Sequence, residues 1–517
     1  MEVSRTTSPR TPALPLSLPL LAVLALTTVG VAFRVVAARD ALFADELSTY
    51  WIVTTHGLGG VISTVHSNAE ITPPLYFVAS WLTTQAGHAP ELVRAPSLIA
   101  GALTIPAVHA LGVRTVGRTA ALVATALTAL SPFMIYYSAE ARAYGVMMLF
   151  VVLSTLAMLI AADTRRGRWW VAYALCSCAA VYSHYTCVFA LGAQLGWLLW
   201  AHPETRRAAV VSNLGAVAGF LPWSTGLVAD LTSPTSKILS ALSPFTAHDV
   251  RLGVEHWLIG YPYTWVARLP ELPGAVALVL LGLALLVAAA GIATQRPRLD
   301  RRLVLVALLF VSAPVGEALV SVVGTNLFGV RNLAASWPAF ALLLGAMLAA
   351  AGPRLRVAAA VLAVASFALG AAKLLESRYQ RPDYRGAADF IARSARPADA
   401  VIDETAVLSP GPLSPLDVVL DTRLPVFRAG APAERDHPFG FADPVVGLSD
   451  VVPQATAAAA GGGRIFLVGT AFPERIPGLD QRTTAVRRPF PARYLREEVR
   501  RYPGFADITV AVYSDSG

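Results

Sequence analysis

The 517-residue chain has few charged residues: they make up 14% of the sequence, whereas apolar types make up 55%. A soluble domain carries about 25% charged residues, so a water-soluble fold of this size would lack the charges to cover its surface. Intrinsic disorder is excluded, because disordered chains are poor in apolar residues. The composition therefore predicts a polytopic membrane protein, with the lipid bilayer as one of its partners.

Cysteine is also scarce, and the three cysteines, Cys176, Cys178 and Cys187, lie in apolar stretches, so no disulfide framework is indicated. The sequence lacks a Walker-type glycine-rich loop, a dinucleotide fingerprint, zinc-type cysteine spacing and a nucleophile elbow. These absences disfavour an ATP-driven pump and a nucleotide-sugar enzyme. The net charge of +8 does not indicate nucleic acid, because the arginines lie in short loops between apolar runs, where they set topology.

A membrane-spanning helix needs about 20 mainly apolar residues. The run at 73–85 is too short to cross and is expected in the outer interface. The basic loops then share one side, which the positive-inside rule makes cytoplasmic. We expect a multi-pass plasma-membrane protein with a cytoplasmic N-terminus and an uncleaved first segment. Eleven segments are predicted to span: 14–34, 95–112, 119–137, 143–162, 169–183, 186–201, 208–226, 273–294, 302–323, 333–351 and 357–376.

The last part of the chain differs in composition, with more charges and prolines and no spanning run. We therefore expect two domains: an all-α membrane bundle of about 11 transmembrane helices plus interfacial helices over 1–376, and a small extracytoplasmic α/β domain over 377–517. Helical spacing predicts a helix over 383–396. Residues 457–463 are expected to form a low-complexity loop. Short β-type runs predict strands at 400–402, 418–420, 464–468 and 508–513.

Polar residues that carry chemistry collect in the loops of the predicted outer side. The adjacent carboxylates Asp45 and Glu46 can divide roles, one accepting a proton and the other binding a cation or the acceptor. The alternative is a solvated pair of acids in the first turn of an interfacial helix. Arg142 and Arg331 suit a lipid phosphate; a surface ion pair of Arg142 with Glu140, or snorkelling of Arg331, is the alternative.

Two further residues leave alternatives open. His184, beside Tyr185 in a tight turn, fits a metal ligand, a substrate contact or a helix-end residue. Glu317 is an acid within a predicted span and thus a candidate functional residue. In a structural role, its expected partner is Arg331 or Arg142.

The ordered set of motifs resembles that of the GT-C glycosyltransferases, in the bacterial branch similar to protein O-mannosyltransferases and lipid A aminoarabinose transferases. The resemblance covers most of residues 40–200 and, weakly, 300–350. The chain departs from the pattern at Thr72, where relatives often have His or Lys, and at Asn332, where Tyr is common. The motifs, in order, are Asp45-Glu46, Pro73-Pro74-Leu75-Tyr76, Glu91–Ser97, Leu111–Arg118, Tyr137–Tyr144, Ser183-His184-Tyr185 and Arg331 ahead of Trp337-Pro338-Ala339.

The resemblance implies an integral membrane enzyme that moves a sugar from a polyprenyl-phosphate carrier to a protein, glycan or lipid acceptor on the extracytoplasmic side. It implies that Asp45 is the catalytic carboxylate and Glu46 its companion. No cofactor is certain; a divalent cation is possible, with Glu46, Glu140 and His184 as candidate ligands. The carrier-binding residues implied are Thr72, Pro73, Pro74, Tyr76, Glu140, Arg142, Tyr144, His184, Tyr185 and Arg331.

The expected chemistry is a single displacement with inversion, because the sequence offers one strong carboxylate cluster and no separate nucleophile. Mannose, or another hexose or a pentose, is the sugar that the resemblance implies. The competing functions are a flippase or transporter of lipid-linked sugars, a polymerase or ligase of surface glycans, and a non-catalytic glycan-binding protein. A transporter should place polar residues near the membrane midplane, whereas this sequence places them at one face.

Overall fold

The computed structural model describes residues 18–233, 245–260, 273–295, 300–324, 326, 328–408, 413–430, 446–471 and 490–516. Every predicted site residue lies within these ranges. Residues 14–17, at the start of the first predicted span, lie outside them.

The apolar runs form helices, because within a bilayer each segment must satisfy its own backbone hydrogen bonds. The succession of α-helices is interrupted by a π-helical turn at Val65–Ala69 and a 3-10 turn at Asn332–Ser336. Both turns lie beside the candidate functional site. The α-helices up to residue 374 are α1 (Leu18–Ala37), α2 (Asp45–Thr55), α3 (Leu58–Thr64), α4 (Leu75–Thr84), α5 (Pro90–Thr115), α6 (Arg118–Leu130), α7 (Pro132–Ser138), α8 (Tyr144–Thr164), α9 (Gly167–Ser183), α10 (Cys187–Ala201), α11 (Arg206–Phe220), α12 (Ser224–Thr232), α13 (Ala247–Leu258), α14 (Ala275–Gln295), α15 (Arg301–Val323), α16 (Trp337–Ala349) and α17 (Gly352–Leu374).

Each of the eleven predicted spans coincides with helical residues, but the predicted number of spans is not confirmed. Among the described residues, eight helices are long and apolar enough to cross a membrane, or nine if α6 and α7, bent by 57°, count as one span. Helix α10 has 15 residues and is therefore only about 22 Å long. The interfacial run at 73–85 forms α4, a helix of 10 residues that is too short to cross.

The basic loop residues meet at one end of the bundle. Arg302 Nη2 lies 2.8 Å from Asp163 Oδ1, and Arg302 Nη1 donates to the carbonyl of Arg114 at 2.8 Å. Arg301 Nη1 donates to the carbonyl of Ala201. These contacts join the C-terminal ends of α5, α8 and α10 to the N-terminal end of α15. The opposite ends of the same helices carry the candidate site.

The C-terminal region contains a five-stranded mixed sheet in the order β2-β1-β3-β5-β4. Strand β1 is parallel to β2 and β3, and β5 is antiparallel to β3 and β4. Helix α18 (Tyr384–Ser394) buries Ala387, Phe390 and Ile391, as its spacing predicts. The strands are β1 (Ala400–Glu404), β2 (Val426–Arg428), β3 (Arg464–Ala471), β4 (Tyr494–Tyr502) and β5 (Asp507–Asp515).

Two local predictions in this region are wrong, and two of the strands are not predicted by the sequence. The predicted strand at 418–420 overlaps helix α19 (Pro415–Val419), because Ser414 and Asp417 form a capping box that begins a helix there. The predicted loop at 457–463 starts two residues too early, since helix α20 extends over Leu448–Ala458. The strands without a prediction are β2, which has only three residues, and β4, whose exposed, charged residues do not alternate with apolar ones.

Candidate functional site

The site is centred on an ion pair between Asp45 and Arg331. Asp45 is the first residue of α2, where its charge complements the N-terminal end of the helix dipole. Arg331 immediately precedes the 3-10 turn that leads into α16. Arg331 Nη1 lies 2.6 Å from Asp45 Oδ2, and the two side chains are 30% and 28% exposed. The pair is therefore bonded and still partly open to solvent.

A second ion pair lies beside the first and is more deeply buried. Arg142 Nη1 lies 2.9 Å from Glu70 Oε2, with side chains 8% and 7% exposed. Arg142 also donates to the hydroxyls of Thr49 and Thr72, at 3.4 and 3.3 Å. Arg142 therefore contacts Glu70 rather than its near neighbour Glu140, so the surface pair considered for Arg142 and Glu140 is not what the structure contains.

The two ion pairs form one charge cluster, because Asp45 interacts electrostatically with both Arg331 and Arg142. Burial raises the pKa of Asp45, but attraction to Arg331 and Arg142 and the hydrogen bond from Arg331 outweigh burial, so this pKa is lowered from its usual value. Asp45 is thus held as a carboxylate near neutral pH. A carboxylate of this kind accepts a proton only when the arginine charge is engaged elsewhere.

Glu46 points away from this pair and is 1% exposed. Arg94 binds it through two bonds, Nε to Oε1 at 2.7 Å and Nη2 to Oε2 at 2.8 Å. Arg381 Nε lies 2.9 Å from Oε2. The backbone N–H groups of Ala141 and Phe43 donate to the same carboxylate. Since five contacts engage its two oxygens, Glu46 serves to join segments of the chain beneath Asp45.

Glu140 and His184 line the same region. One oxygen of Glu140 is buried and has no hydrogen-bond partner among the described residues. Burial raises the pKa of Glu140 to about 7, and attraction to Arg381 only partly offsets burial. The His184 ring lies 5.0 Å from the ring of Tyr144. Burial, together with the charges of Arg142 and Arg331, lowers the pKa of His184 to about 3, so the imidazole is neutral.

Tyr185 belongs to a neighbouring polar cluster. Its hydroxyl donates to Asp230 Oδ2 and accepts a hydrogen bond from Trp223 Nε1 at 3.1 Å. The His66 ring stands edge-on to the Trp223 ring, with centroids 5.5 Å apart. This cluster connects α12 with the π-helical turn and the His184 loop.

The predicted carrier-binding segment has mixed surroundings. Thr72, Pro73 and Pro74 are all buried. Thr72 contacts Arg142, and the two prolines lead into α4. Tyr76 is 1% exposed and donates to the carbonyl of Val93 at 2.9 Å. Thr72 thus lies at the charge cluster, and Tyr76 packs behind it. Carrier binding by these residues stays a prediction.

Glu317 is fully buried in α15. The expected pairing with Arg331 or Arg142 is not observed, because Arg331 contacts Asp45 and Arg142 contacts Glu70.

The described residues contain no group of three or more His, Cys, Asp or Glu side chains arranged to hold a metal ion. Of the three candidate ligands, Glu46 is saturated by arginines and backbone donors, and His184 Nδ1 contacts the Thr186 hydroxyl at 3.0 Å. A divalent cation held by Glu46, Glu140 or His184 stays a prediction.

Four charged residues around the cluster are absent from the predicted site: Glu70, Arg94, Asp230 and Arg381. Glu70 and Asp230 lie in predicted outer loops. Their charge and position make them candidates, but the sequence does not reveal which residues they contact. Arg94 lies in one of the resembling motifs. Arg381 has no local signal, because its contacts are with residues far away in the sequence.

Comparison with known proteins supports the class that the motifs predict. The family model described as dolichyl-phosphate-mannose-protein mannosyltransferase matches residues 72–227, the part of the chain that holds Thr72, Glu140, Arg142 and His184. A comparison with curated protein sequences finds no match.

Two solved structures are similar to this chain. The oligosaccharyltransferase of Archaeoglobus fulgidus, tethered to an acceptor peptide, aligns at 11% identity over 87% of this chain and 69% of its own, with a TM-score of 0.50. ArnT from Cupriavidus metallidurans, bound to undecaprenyl phosphate, aligns at 15% identity over 95% of this chain and 97% of its own, with a TM-score of 0.49.

The match over residues 72–227 supports the prediction of a membrane-embedded glycosyltransferase. Together with the fold shared with the archaeal oligosaccharyltransferase, it agrees with the GT-C resemblance that the motifs carry.

Proposed function

We propose that the chain transfers a sugar, mannose or a related one, from a polyprenyl-phosphate carrier to an acceptor at the extracytoplasmic membrane surface. The observation that carries the proposal is the 2.6 Å contact between Asp45 and Arg331. The contact supports the proposal because the carboxylate that we propose as proton acceptor and the guanidinium that we propose as phosphate ligand lie in one partly exposed site. The matched family, whose description names dolichyl-phosphate mannose, supports the choice of donor.

The carrier phosphate is proposed to bind Arg331. The isoprenoid tail would remain in lipid, and the phosphate would reach the end of the bundle where Arg331 lies. A guanidinium binds phosphate through two parallel hydrogen bonds and carries a permanent charge. Arg142 lies in the same charge cluster and adds a second positive charge. Both arginines would stabilise the charge that grows on the leaving phosphate.

Phosphate binding and proton transfer are linked in this scheme. When the phosphate engages Arg331, Asp45 loses the hydrogen bond from one of the two arginines that lower its pKa, and it becomes a better base. The acceptor hydroxyl then attacks the anomeric carbon and gives its proton to Asp45. The bond between that carbon and the phosphate oxygen breaks, and the phosphate leaves with the electron pair. One displacement of this kind inverts the anomeric centre.

The alternative functions gain less support. A transporter of lipid-linked sugars needs a polar site near the membrane midplane. In the described part of the chain, the charge cluster of Asp45, Glu70, Arg142 and Arg331 lies at one end of the bundle instead. A polymerase or ligase of surface glycans would use similar chemistry, and the identity of the acceptor distinguishes it from a protein glycosyltransferase.

The proposal is tested with the full-length protein in nanodiscs. We expect it to bind undecaprenyl phosphate and to transfer mannose from undecaprenyl-phosphate mannose to material in a cell-envelope extract. NMR of the product should report an inverted anomeric centre. In a deletion strain, mass spectrometry of glycans and secreted proteins should reveal a missing sugar. An unchanged glycan profile together with no binding of undecaprenyl phosphate would contradict the proposal.

A further inference from the structure

The loop that leads into Asp45 packs against the C-terminal region. Ala41 and Phe43 are 4% and 5% exposed and belong to the same apolar cluster as Tyr384 of α18 and Phe505. The rings of Phe43 and Phe505 meet edge-on, with centroids 5.0 Å apart. Aromatic pairs of this geometry add to the free energy gained from burial alone. The core of the C-terminal region therefore includes residues from the loop before α2.

A buried arginine from the C-terminal side extends this connection to the charged residues. Arg381 is 5% exposed, and its Nε lies 2.9 Å from Glu46 Oε2. Its backbone N–H donates to Asp40 Oδ2 at 3.2 Å. Its guanidinium lies over the ring of Tyr136, 4.6 Å from the centroid. Arg381 thus binds carboxylates at both ends of the loop from residue 40 to residue 46.

Arg94 holds the same loop from the side of the membrane bundle. It donates to the carbonyls of Ala38, Asp40 and Ala41 as well as to Glu46. Arg94 and Arg381 together balance the buried carboxylate of Glu46, and Arg381 also lies near the partly buried carboxylate of Asp40. Removing one arginine would leave a buried negative charge without compensation, and such a change is strongly destabilising.

The backbone at the end of this loop is strained. Ala44 has φ of +49°, in a region that residues other than glycine rarely adopt. Strain of this kind persists only where the surroundings hold the backbone in place. Ala44 immediately precedes Asp45, so the contacts that maintain its conformation also set the position of the Asp45 carboxylate.

We infer that Arg381 is a positioning residue for Asp45, and that docking of the C-terminal region keeps the reacting carboxylate in register with Arg331. This inference rests on the proposed function for its catalytic consequence. Arg381 contacts Glu46 rather than Asp45, so it acts through the loop and takes no part in proton transfer. Carrier binding, which depends on Arg331 and Arg142, should not depend on Arg381.

The test compares Arg381→Ala and Arg381→Lys with a matched control, Arg385→Ala. Arg385 also joins the C-terminal region to the bundle, through an ion pair with Glu91 at 2.8 Å, but this pair is about two-fifths exposed, at 42% and 41%. Hydrogen–deuterium exchange of the full-length protein in nanodiscs should show faster exchange of the amides at 38–47 in Arg381→Ala. Arg385→Ala should exchange at the wild-type rate there.

Kinetics give the second measurement, with undecaprenyl-phosphate mannose as donor. In Arg381→Ala, kcat should fall by about 100-fold, the effect of a small misplacement of a reacting group, while KM for the donor stays unchanged. Arg381→Lys should recover part of kcat, because lysine keeps the charge but lacks the planar fork.

The outcomes separate the inference from the proposed function. If the amides at 38–47 exchange at the wild-type rate in Arg381→Ala, the positioning role is wrong, whatever the enzyme transfers. If exchange accelerates but kcat stays at the wild-type value, the role in catalysis is wrong. If the wild-type protein neither binds undecaprenyl phosphate nor transfers mannose, the proposed function fails, and the exchange result still decides whether Arg381 holds the loop.

Discussion

Arg331 Nη1 lies 2.6 Å from Asp45 Oδ2, although the two residues are separated by 286 positions in the chain. The carboxylate proposed to accept a proton is thus bonded to the cation proposed to bind phosphate. A phosphate that enters the site must compete with Asp45 for Arg331. In the proposed mechanism, the pair would therefore link carrier binding to the release of the base.

Replacement of Asp45 by asparagine should abolish sugar transfer and at the same time strengthen binding of undecaprenyl phosphate. Transfer is lost because the amide cannot accept the proton. Binding improves severalfold, because a partly exposed ion pair worth about 0.2–1 kcal/mol no longer competes for Arg331. Transfer of mannose and a thermal-shift titration with undecaprenyl phosphate measure the two effects. Asp163→Asn, at the other end of the bundle, is the control and should change neither. Full transfer activity in Asp45→Asn would remove the role assigned to the carboxylate.

Replacement of Arg331 by glutamine should weaken binding of undecaprenyl phosphate by about 10- to 100-fold, since hydrogen bonds to charged groups contribute about 1.5–3 kcal/mol. Arg331→Lys should lie between glutamine and wild type, because the ammonium group retains the charge without the fork. Arg302→Gln removes a comparable arginine at the opposite end. Equal affinity for undecaprenyl phosphate in Arg331→Gln and Arg302→Gln would contradict the proposed phosphate site.

Glu140 should make the stability of the protein depend on pH. Burial raises its pKa from 4.5 to about 7. Between these values the folded protein holds a proton that the unfolded chain has released, so the free energy of unfolding falls as pH rises through this window. Glu140→Gln removes that dependence. The Tm of Glu140→Gln minus the Tm of wild type should therefore be larger at pH 8 than at pH 5. The exposed Glu376→Gln is the control and should give the same difference from wild type at both pH values.

Replacement of Arg94 by alanine should destabilise the protein strongly. Arg94 is fully buried, and its loss leaves Glu46 with one arginine in place of two. Breaking a buried ion pair of this kind costs about 3–5 kcal/mol. Arg165→Ala disrupts an exposed pair with Glu204, at 3.9 Å, and should change stability by about 0.5 kcal/mol or less. Thermal unfolding in nanodiscs compares the two variants; a similar small loss in both would show that Arg94 is not essential to the loop.

The membrane helices could be predicted from the sequence because hydropathy in a bilayer is a local property. Every predicted span coincides with helical residues. The number of spans could not be predicted, because α9 and α10 have 17 and 15 residues, fewer than a bilayer normally requires. Strands β2 and β4, at the two edges of the sheet, could not be predicted, because β2 has only three residues and β4 has charged residues in place of the usual alternation.

The candidate site could be predicted in part. The motifs single out Asp45, Arg142 and Arg331, and the structure brings these three into one charge cluster. Their partners could not be predicted in the same way. Nothing near Arg381 in the sequence indicates a contact with Glu46, because such pairing depends on how the C-terminal region docks on the bundle.

The packing of Phe43 against Phe505 limits which segments of this chain could be exchanged with those of a related protein. A chimera that exchanged only residues 377–516 would replace Phe505 and Arg381 while keeping the segment from 38 to 46 to which they are fitted. The smallest unit that can be transplanted intact is therefore discontinuous in sequence and joins a short N-terminal segment to the distant C-terminal end. We therefore expect the two segments to be exchangeable only together. A hybrid protein that exchanges one without the other should be inactive.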